Sequence, residues 1–246
     1  MKISLITATF NSANTFLLTI ESVRSQNFDN LEYIVIDGGS TDNTLEIINQ
    51  NRDIITKLIT VPAKGIYDAL NVGLKNVSGD VAGFLHSDDY FADIDTLKII
   101  NNVFENRNVD FCYGDLQYIA KENPQKVLRH WRSSEFSTKA LKRGWMPPHP
   151  SVYFNSKLIE EIGFFDTTYK ISADYDWLIR CLIREDINVE YIPKVLIKMR
   201  TGGESNRNVK NIIKKSQEDY KIIRKNKIGN IFTLFCKNFS KLGQFF

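Results

Sequence analysis

Three observations predict an α/β protein built on a doubly wound, mostly parallel sheet. Over the first 115 residues, short apolar runs ending in polar residues alternate with segments of helical periodicity. The strand-like runs are nearly continuous in apolar residues, as strands covered on both faces are. A chain of 246 residues, 43% hydrophobic and 25% charged, has the make-up of one large globular domain.

The elements follow in order. Lys2–Thr7 and Leu31–Asp37 read as buried strands, and Leu17, Leu18, Ile20 and Val23 between them recur at helical spacing. Ser40-Thr41-Asp42 marks a helix start ahead of Leu45, Ile47 and Ile48. Ile55–Val61 is the third strand, Ile66–Asn76 a helix and Val81–Leu85 the fourth strand. Leu97, Ile100, Val103 and Phe104 mark the next helix, and Val109–Tyr113 the next strand. Beyond Asp115 the polar stretch Lys121–Lys126 separates two strand-like pieces, and the proline-rich Gly144–Pro150 excludes a helix. Helices at Ser156–Ile162 and Asp174–Arg184 and strands at Val189–Ile192 and Val195–Met199 complete the body. The expected division is 1–207 for the domain, with halves 1–115 and 116–207, and a basic helical tail over 208–246.

Several function classes are excluded. No run reaches the roughly 18 uncharged apolar residues of a spanning helix, and the first residues lack a secretory cleavage pattern. Cys112, Cys181 and Cys236 are far apart and odd in number, which fits a reducing cytosol rather than a disulfide framework or a cysteine zinc site. The net charge of +3 conceals a division: residues 1–193 hold 19 Lys and Arg against 26 Asp and Glu, residues 194–246 hold 13 against 3. An acidic body would repel a phosphate backbone, so nucleic acid is not the expected partner, whereas the basic tail suits an anionic membrane surface.

Ligands of open α/β sheets sit outside the carboxyl ends of the strands. Here those ends carry Thr7-Ala8-Thr9-Phe10-Asn11, Asp37-Gly38-Gly39-Ser40 and His86-Ser87-Asp88-Asp89. Asp37 followed by two glycines suits a tight turn with a carboxylate left to accept hydrogen bonds from a base or ribose; a helix cap uses the same residues. Asp88-Asp89 repel each other and call for a counter-charge, which a hard divalent cation touching diphosphate oxygens would provide; a solvated acidic turn is the alternative.

These stretches, with Ser22-Val23-Arg24-Ser25-Gln26 and Val35–Asp42, resemble the family 2 inverting glycosyltransferases of the GT-A fold. Leu85-His86-Ser87-Asp88-Asp89 matches that family's acidic metal motif. Lys64-Gly65-Ile66-Tyr67-Asp68-Ala69-Leu70-Asn71 resembles a branch from bacterial capsule, exopolysaccharide and O-antigen synthesis, and Gly163-Phe164-Phe165-Asp166 and Ala173-Asp174-Tyr175-Asp176-Trp177 match acceptor-side motifs. The resemblance covers about residues 3–200.

It implies that Thr7 and Phe10 line a base pocket, that Asp37 hydrogen-bonds the nucleobase, and that Gly65, Asn71 and Asp88 contact the nucleotide sugar. It implies Asp89 as the ligand of Mg²⁺ or Mn²⁺ and Asp174 as catalytic base. Ala173 stands where the family usually has a Glu, and Val61-Pro62-Ala63 replaces the acidic residues that usually precede Lys64. His149 and Trp177 are candidates for the acceptor side; a loop histidine with a structural hydrogen bond and a core tryptophan are the alternatives. Capping or solvating the helix that runs to Arg184 is the alternative for Asp174 and Asp176.

The implied reaction moves a sugar from a nucleotide diphosphate donor, a UDP-sugar first, to a hydroxyl of a lipid-linked or oligosaccharide acceptor, with inversion. A hexosyl- or N-acetylhexosaminyltransferase at the cytoplasmic face of the inner membrane is expected, and a homo-oligomer is compatible with it. A sugar nucleotidyltransferase would want a glycine-rich loop after strand one, which Thr7–Asn14 lacks, and an inactive nucleotide-sugar-binding scaffold would not need all three of Asp88, Asp89 and Asp174. In the tail, Ile228, Ile231, Phe232, Leu234, Phe235, Phe239, Leu242, Phe245 and Phe246 fall on one side of a helical projection, and Asn230, Thr233, Lys237, Ser240 and Lys241 on the other. With Lys210, Lys214, Lys215, Lys221, Arg224, Lys225 and Lys227 upstream, this suits an in-plane membrane helix; packing on the body or a partner subunit is the alternative.

Overall fold

The structure is a computed structural model and describes residues 1–62, 64–201 and 209–239. Among the described residues nine strands form one sheet: β1 (Ile3–Thr9), β2 (Leu31–Asp37), β3 (Lys57–Thr60), β4 (Val81–Phe84), β5 (Tyr90–Phe91), β6 (Phe111–Ile119), β7 (Val127–Trp131), β8 (Tyr153–Asn155) and β9 (Val189–Arg200). Their spatial order is β3-β2-β1-β4-β8-β6-β9-β5, with β7 also paired to β6. The parallel expectation holds across β3, β2, β1 and β4 and again between β6 and β9. Antiparallel pairing enters through β8, β7 and β5, so the sheet as a whole is mixed.

Helices cover both faces: α1 (Phe16–Arg24), α2 (Thr44–Gln50) and α4 (Thr96–Asn106) on one, α3 (Ile66–Lys75), α5 (Thr138–Lys142), α6 (Lys157–Ile162), α7 (Ala173–Leu182) and α8 (Val209–Lys225) on the other. Strand alternation sorts the side chains between them. Ile6, Ala8, Ile34 and Ile36 join the α3–α7–α8 core, whereas Leu5, Tyr33 and Val35 join the α1–α2–α4 core.

The amino ends of β1 and β2 are held by a buried carboxylate. Glu32, at the start of β2, accepts hydrogen bonds from Ser4 Oγ (2.5 Å), Ser78 N (2.9 Å) and Ser78 Oγ (2.6 Å), and pairs with Lys57 at 2.9 Å. Burial pushes its carboxyl up, but these partners outweigh it and hold the group at about 2.

Several boundaries differ from the sequence reading. The short β5 and β8 and the one-turn α5 carry too few residues for a periodicity to show. The two strands expected near Val189 and Val195 are one strand, irregular where Gly114 and Asp115 pair with it. The tail departs most. Helix α8 and helix α9 (Ile231–Phe239) pack against the body, with Ile222, Ile223 and Ile228 in the core. Thr233 and Lys237, expected on the water side of a membrane helix, are the buried side chains of α9. Ser240, Lys241, Leu242, Phe245 and Phe246 lie outside the described residues.

Candidate active site

The carboxyl ends of β1, β2 and β4 lie side by side, and their loops are tied together. Asn11 N donates to Ser40 Oγ (2.9 Å), Ser12 N to Thr44 Oγ1 (2.8 Å), and Ser12 Oγ and Ser87 Oγ are 2.9 Å apart. Thr41 N donates to Asn11 Oδ1 at 2.8 Å, with Asn11 itself at a φ of 49°. Such cross-loop bonds fix the ligand edge before any ligand arrives.

Asp37 is fully buried, and its Oδ2 accepts the N–H groups of Gly39 (3.0 Å) and Ser40 (3.1 Å). Gly39 takes a φ of 88°, a conformation that favours glycine, so the Asp-Gly-Gly sequence shapes this turn. Phe10 is 60% exposed and leans over Gly38, where an added Cβ would sit 3.4 Å from the Phe10 ring. A flat apolar ring thus stands beside a buried carboxylate at the strand edge.

Of the residues expected on the donor, Thr7 and Asn71 are engaged in contacts inside the body, and Gly65 is exposed. Thr7 is fully buried; its hydroxyl donates to Leu85 O (2.7 Å) and accepts from Tyr33 OH (3.1 Å), because strand alternation turns it into the α1–α2 core. It lines no pocket. Asn71 uses both ends of its amide on one backbone unit, donating to Phe165 O and accepting from Phe165 N, each at 2.9 Å. It clamps the Gly163–Asp166 loop onto α3 rather than facing a sugar. Gly65 opens α3 on the exposed surface.

Asp88 is half-buried and Asp89 fully so. Asp89 Oδ1 accepts Arg200 N at 3.3 Å, while its Oδ2 is buried with no hydrogen-bond partner. Burial pushes this carboxyl well above its usual range, Asp88 adds to the rise, and Arg200 opposes it. An orphaned buried carboxylate oxygen next to a second carboxylate fits a hard cation. Among the described residues no group of three or more His, Cys, Asp and Glu could hold a metal alone, so further ligands would come from a phosphate substrate or water.

Asp174 stands in the first turn of α7, half-buried. The phenol of Tyr67, from the Lys64–Asn71 stretch, lies 3.1 Å from Asp174 Oδ1 and 2.8 Å from Ile171 O. Burial and the Asp174 charge push that phenol well above its usual range, so it stays protonated and donates. The acidic loop and Asp174 belong to one neighbourhood: the charges of Asp88 and Asp174 both act on His86, whose pKa burial lowers. His149, 6.0 Å from His86 between ring centroids, stacks on Phe84; burial lowers its pKa to about 4, and its Nε2 has no partner.

Asp176 is the structural member of the Asp174/Asp176 pair. It is fully buried and accepts from Arg180 Nε (2.8 Å) and Asn226 Nδ2 (3.2 Å). Trp177 is also fully buried, packs 4.7 Å from Phe154 and donates to Gly163 O at 2.9 Å, which corrects its acceptor role to core packing.

Two residues matter that the sequence did not single out. Glu218 of α8 accepts the N–H groups of Lys170 (3.0 Å), Ile171 (2.9 Å) and Ser172 (3.0 Å), fixing the chain that leads into Asp174. Arg200 supplies positive charge beside Asp89. The only acids of 208–246 are Glu218 and Asp219, a signal that could have marked them.

Residues 4–163 match the family model described as glycosyl transferase family 2. A PGL/p-HBAD biosynthesis glycosyltransferase of Mycobacterium bovis is 28% identical over 82% of this chain and 78% of its own length. The Escherichia coli protein WfaP, a UDP-Glc:alpha-D-GlcNAc-diphosphoundecaprenol beta-1,3-glucosyltransferase, is 38% identical over 49% of this chain and 47% of its own. Among solved structures, S. aureus TarS 1-349 in complex with UDP-GlcNAc superposes with a TM-score of 0.74 at 20% identity over 92% of this chain. This chain spans 65% of that TarS chain. The Pyrobaculum calidifontis mannosyltransferase PcManGT, in complex with GDP-Man and Mn²⁺, superposes at 0.66 with 17% identity over 91% of this chain and 63% of its own.

Proposed function

The chain belongs to glycosyl transferase family 2 and has the GT-A fold, and from that premise we propose an inverting transfer in bacterial cell-surface polysaccharide or glycolipid synthesis. The donor is a nucleotide diphosphate sugar, a UDP-hexose or UDP-N-acetylhexosamine. The acceptor hydroxyl belongs to a lipid-linked or oligosaccharide chain at the cytoplasmic face of the inner membrane. Among the described residues no helix is long and apolar enough to cross a membrane. The complex of TarS with UDP-GlcNAc and the lipid diphosphate acceptor in the name of WfaP support these classes.

The observation that carries the reading is Asp174, held by Tyr67 and close enough to His86 to share its electrostatic field with Asp88. An acceptor hydroxyl is a weak nucleophile, and Asp174 takes its proton as the oxygen attacks the anomeric carbon. The sugar–phosphate bond breaks on the opposite face, the bond pair leaves with the nucleoside diphosphate, and the anomeric centre inverts. Phe10 offers a face for the base, and Asp37 holds the turn beside it. Asp89, with Asp88, would hold Mg²⁺ or Mn²⁺, whose bound charge would stabilise the leaving diphosphate. A sugar nucleotidyltransferase leaves Asp174 without a task.

The test is thermal shift with a panel of nucleotide sugars, with and without Mn²⁺, followed by turnover on the donor that binds. The expected result is a metal-dependent rise in melting temperature with UDP-sugars, lost in Asp89→Asn. Binding unaffected by chelation and by Asp89→Asn removes the metal role. Binding without any transfer or hydrolysis favours the inactive scaffold.

A further inference from the structure

Helix α9 is amphipathic in the reverse sense for a helix lying on a folded body. Such a helix normally turns its apolar stripe inward. Here Thr233 and Lys237 face in, at 4% and 1% exposure, while Ile231, Phe232, Phe235 and Phe239 are 51–68% exposed. The seating is specific. Thr233 Oγ1 donates to Lys142 O at 3.1 Å, and Lys237 Nζ pairs with Asp219 at 2.6 Å. The helix also rides directly on Gly144, where a Cβ would come within 2.7 Å of both Lys237 Cβ and Thr233 O. Rolling the phenylalanines inward would break every one of these contacts.

The elements that seat this helix carry exposed cations. Thr233 and Lys237 touch the end of α5, whose Lys139 and Lys142 are exposed, as is Arg143 after it. On the preceding segment Lys221, Arg224 and Lys227 are exposed as well. The chain continues beyond Phe239 with Ser-Lys-Leu-Gly-Gln-Phe-Phe, a further lysine and three large apolar residues in seven.

We propose that the outer face of α9 seats this protein on an anionic lipid bilayer, with Phe232, Phe235 and Phe239 entering the headgroup boundary and the α5 and α8 cations meeting lipid phosphates. The exposed cations of these elements favour lipid over a second copy, since pairing two such surfaces would bring like charges together. The size agrees: four partly exposed side chains offer roughly 400–500 Å², short of the about 800 Å² per partner of a stable interface. Docking to lipid needs no sugar transfer, so it is measured without donor and fails or stands independently of the proposed reaction.

The experiment is sedimentation of the full chain with phosphatidylcholine vesicles and with vesicles containing about a third phosphatidylglycerol. Wild type should pellet with the anionic vesicles only, and release at about 0.5 M salt. Phe232→Ser/Phe235→Ser/Phe239→Ser should lower partitioning at least tenfold while melting like wild type, because the rings are exposed. Lys142→Glu/Arg143→Glu should lower it too and leave the apolar face intact. The proposal fails if wild type stays in solution with both vesicles, or if both variants pellet like wild type. It also fails if wild type is a dimer in solution that the triple variant splits without changing vesicle binding.

Discussion

Lys237 Nζ lies 2.6 Å from Asp219 Oδ2, and each side chain is only 1% exposed. The ammonium also sits 3.3 Å from the centre of the Tyr175 ring. Burial pushes the Asp219 carboxyl up, but Lys237 and then Lys215 outweigh it and hold the group below its usual range. Tyr175 belongs to α7, the helix that carries Asp174. The last described helix is therefore fastened by charge against the helix that carries Asp174.

Removing one partner of a buried pair strands the other charge and costs about 3–5 kcal/mol. Lys237→Ala should lower stability by that order in denaturant melts, whereas Lys237→Met/Asp219→Leu should recover much of the loss. A Lys237→Ala protein as stable as wild type would show that α9 does not hold the body.

Glu218 spends its carboxylate on three consecutive N–H groups at Lys170–Ser172. Ile171, in the middle of that run, offers its carbonyl to Tyr67, which also reaches Asp174. Glu218→Gln keeps the shape but loses charge and acceptor capacity. The expected outcome is a kcat lowered about 10-fold, one charged hydrogen bond's worth, at unchanged donor affinity. A change in donor affinity alone would assign Glu218 to donor binding instead.

The acid limb of stability should report Glu32. Its folded carboxyl titrates near 2, below the unfolded value of 4.5, so the native state binds fewer protons between those values. The stabilisation is complete above about pH 4.5 and is lost as pH falls toward 2. Glu32→Gln should cost about 2 kcal/mol at neutral pH and flatten the decline of melting temperature across that window. An unchanged acid limb would place the sensitivity in other groups.

The fold was legible because its repeating units are long: the nearly continuous apolar runs of β1, β2 and β4 announce strands buried on both faces. The placement of the candidate site was legible where a motif falls at a strand or helix end: Asp88-Asp89 follow β4 and Asp174 stands in the first turn of α7. It was misread where a residue type fits a motif but the backbone turns it away. Thr7 is one residue off the alternation that faces α3, and Asn71 and Trp177 serve the Gly163–Asp166 loop. Tyr67 and Glu218 meet their partners across 107 and 46–48 residues of sequence. No local periodicity encodes such a contact. The tail shows the same limit: a projection places Thr233 and Lys237 opposite the phenylalanines, but only Gly144 and Asp219 decide which side faces in.

Asp174→Asn should reduce transfer by about 10²–10⁴-fold, the usual loss on removing a general base, while donor binding by thermal shift stays intact. Tyr67→Phe separates positioning from proton transfer. It leaves the Asp174 carboxylate in place but removes the hydroxyl 3.1 Å from Oδ1 and 2.8 Å from Ile171 O. Losing a hydrogen bond to a charged group corresponds to about 10–100-fold in kcat, so Tyr67→Phe should fall between wild type and Asp174→Asn. If the base acts through Tyr67, the double variant should be no slower than Asp174→Asn alone, because contacting residues of one network are not additive. Transfer by Asp174→Asn above about a tenth of wild type would remove Asp174 as the base, and a double variant slower by the product of both losses would give Tyr67 a task of its own.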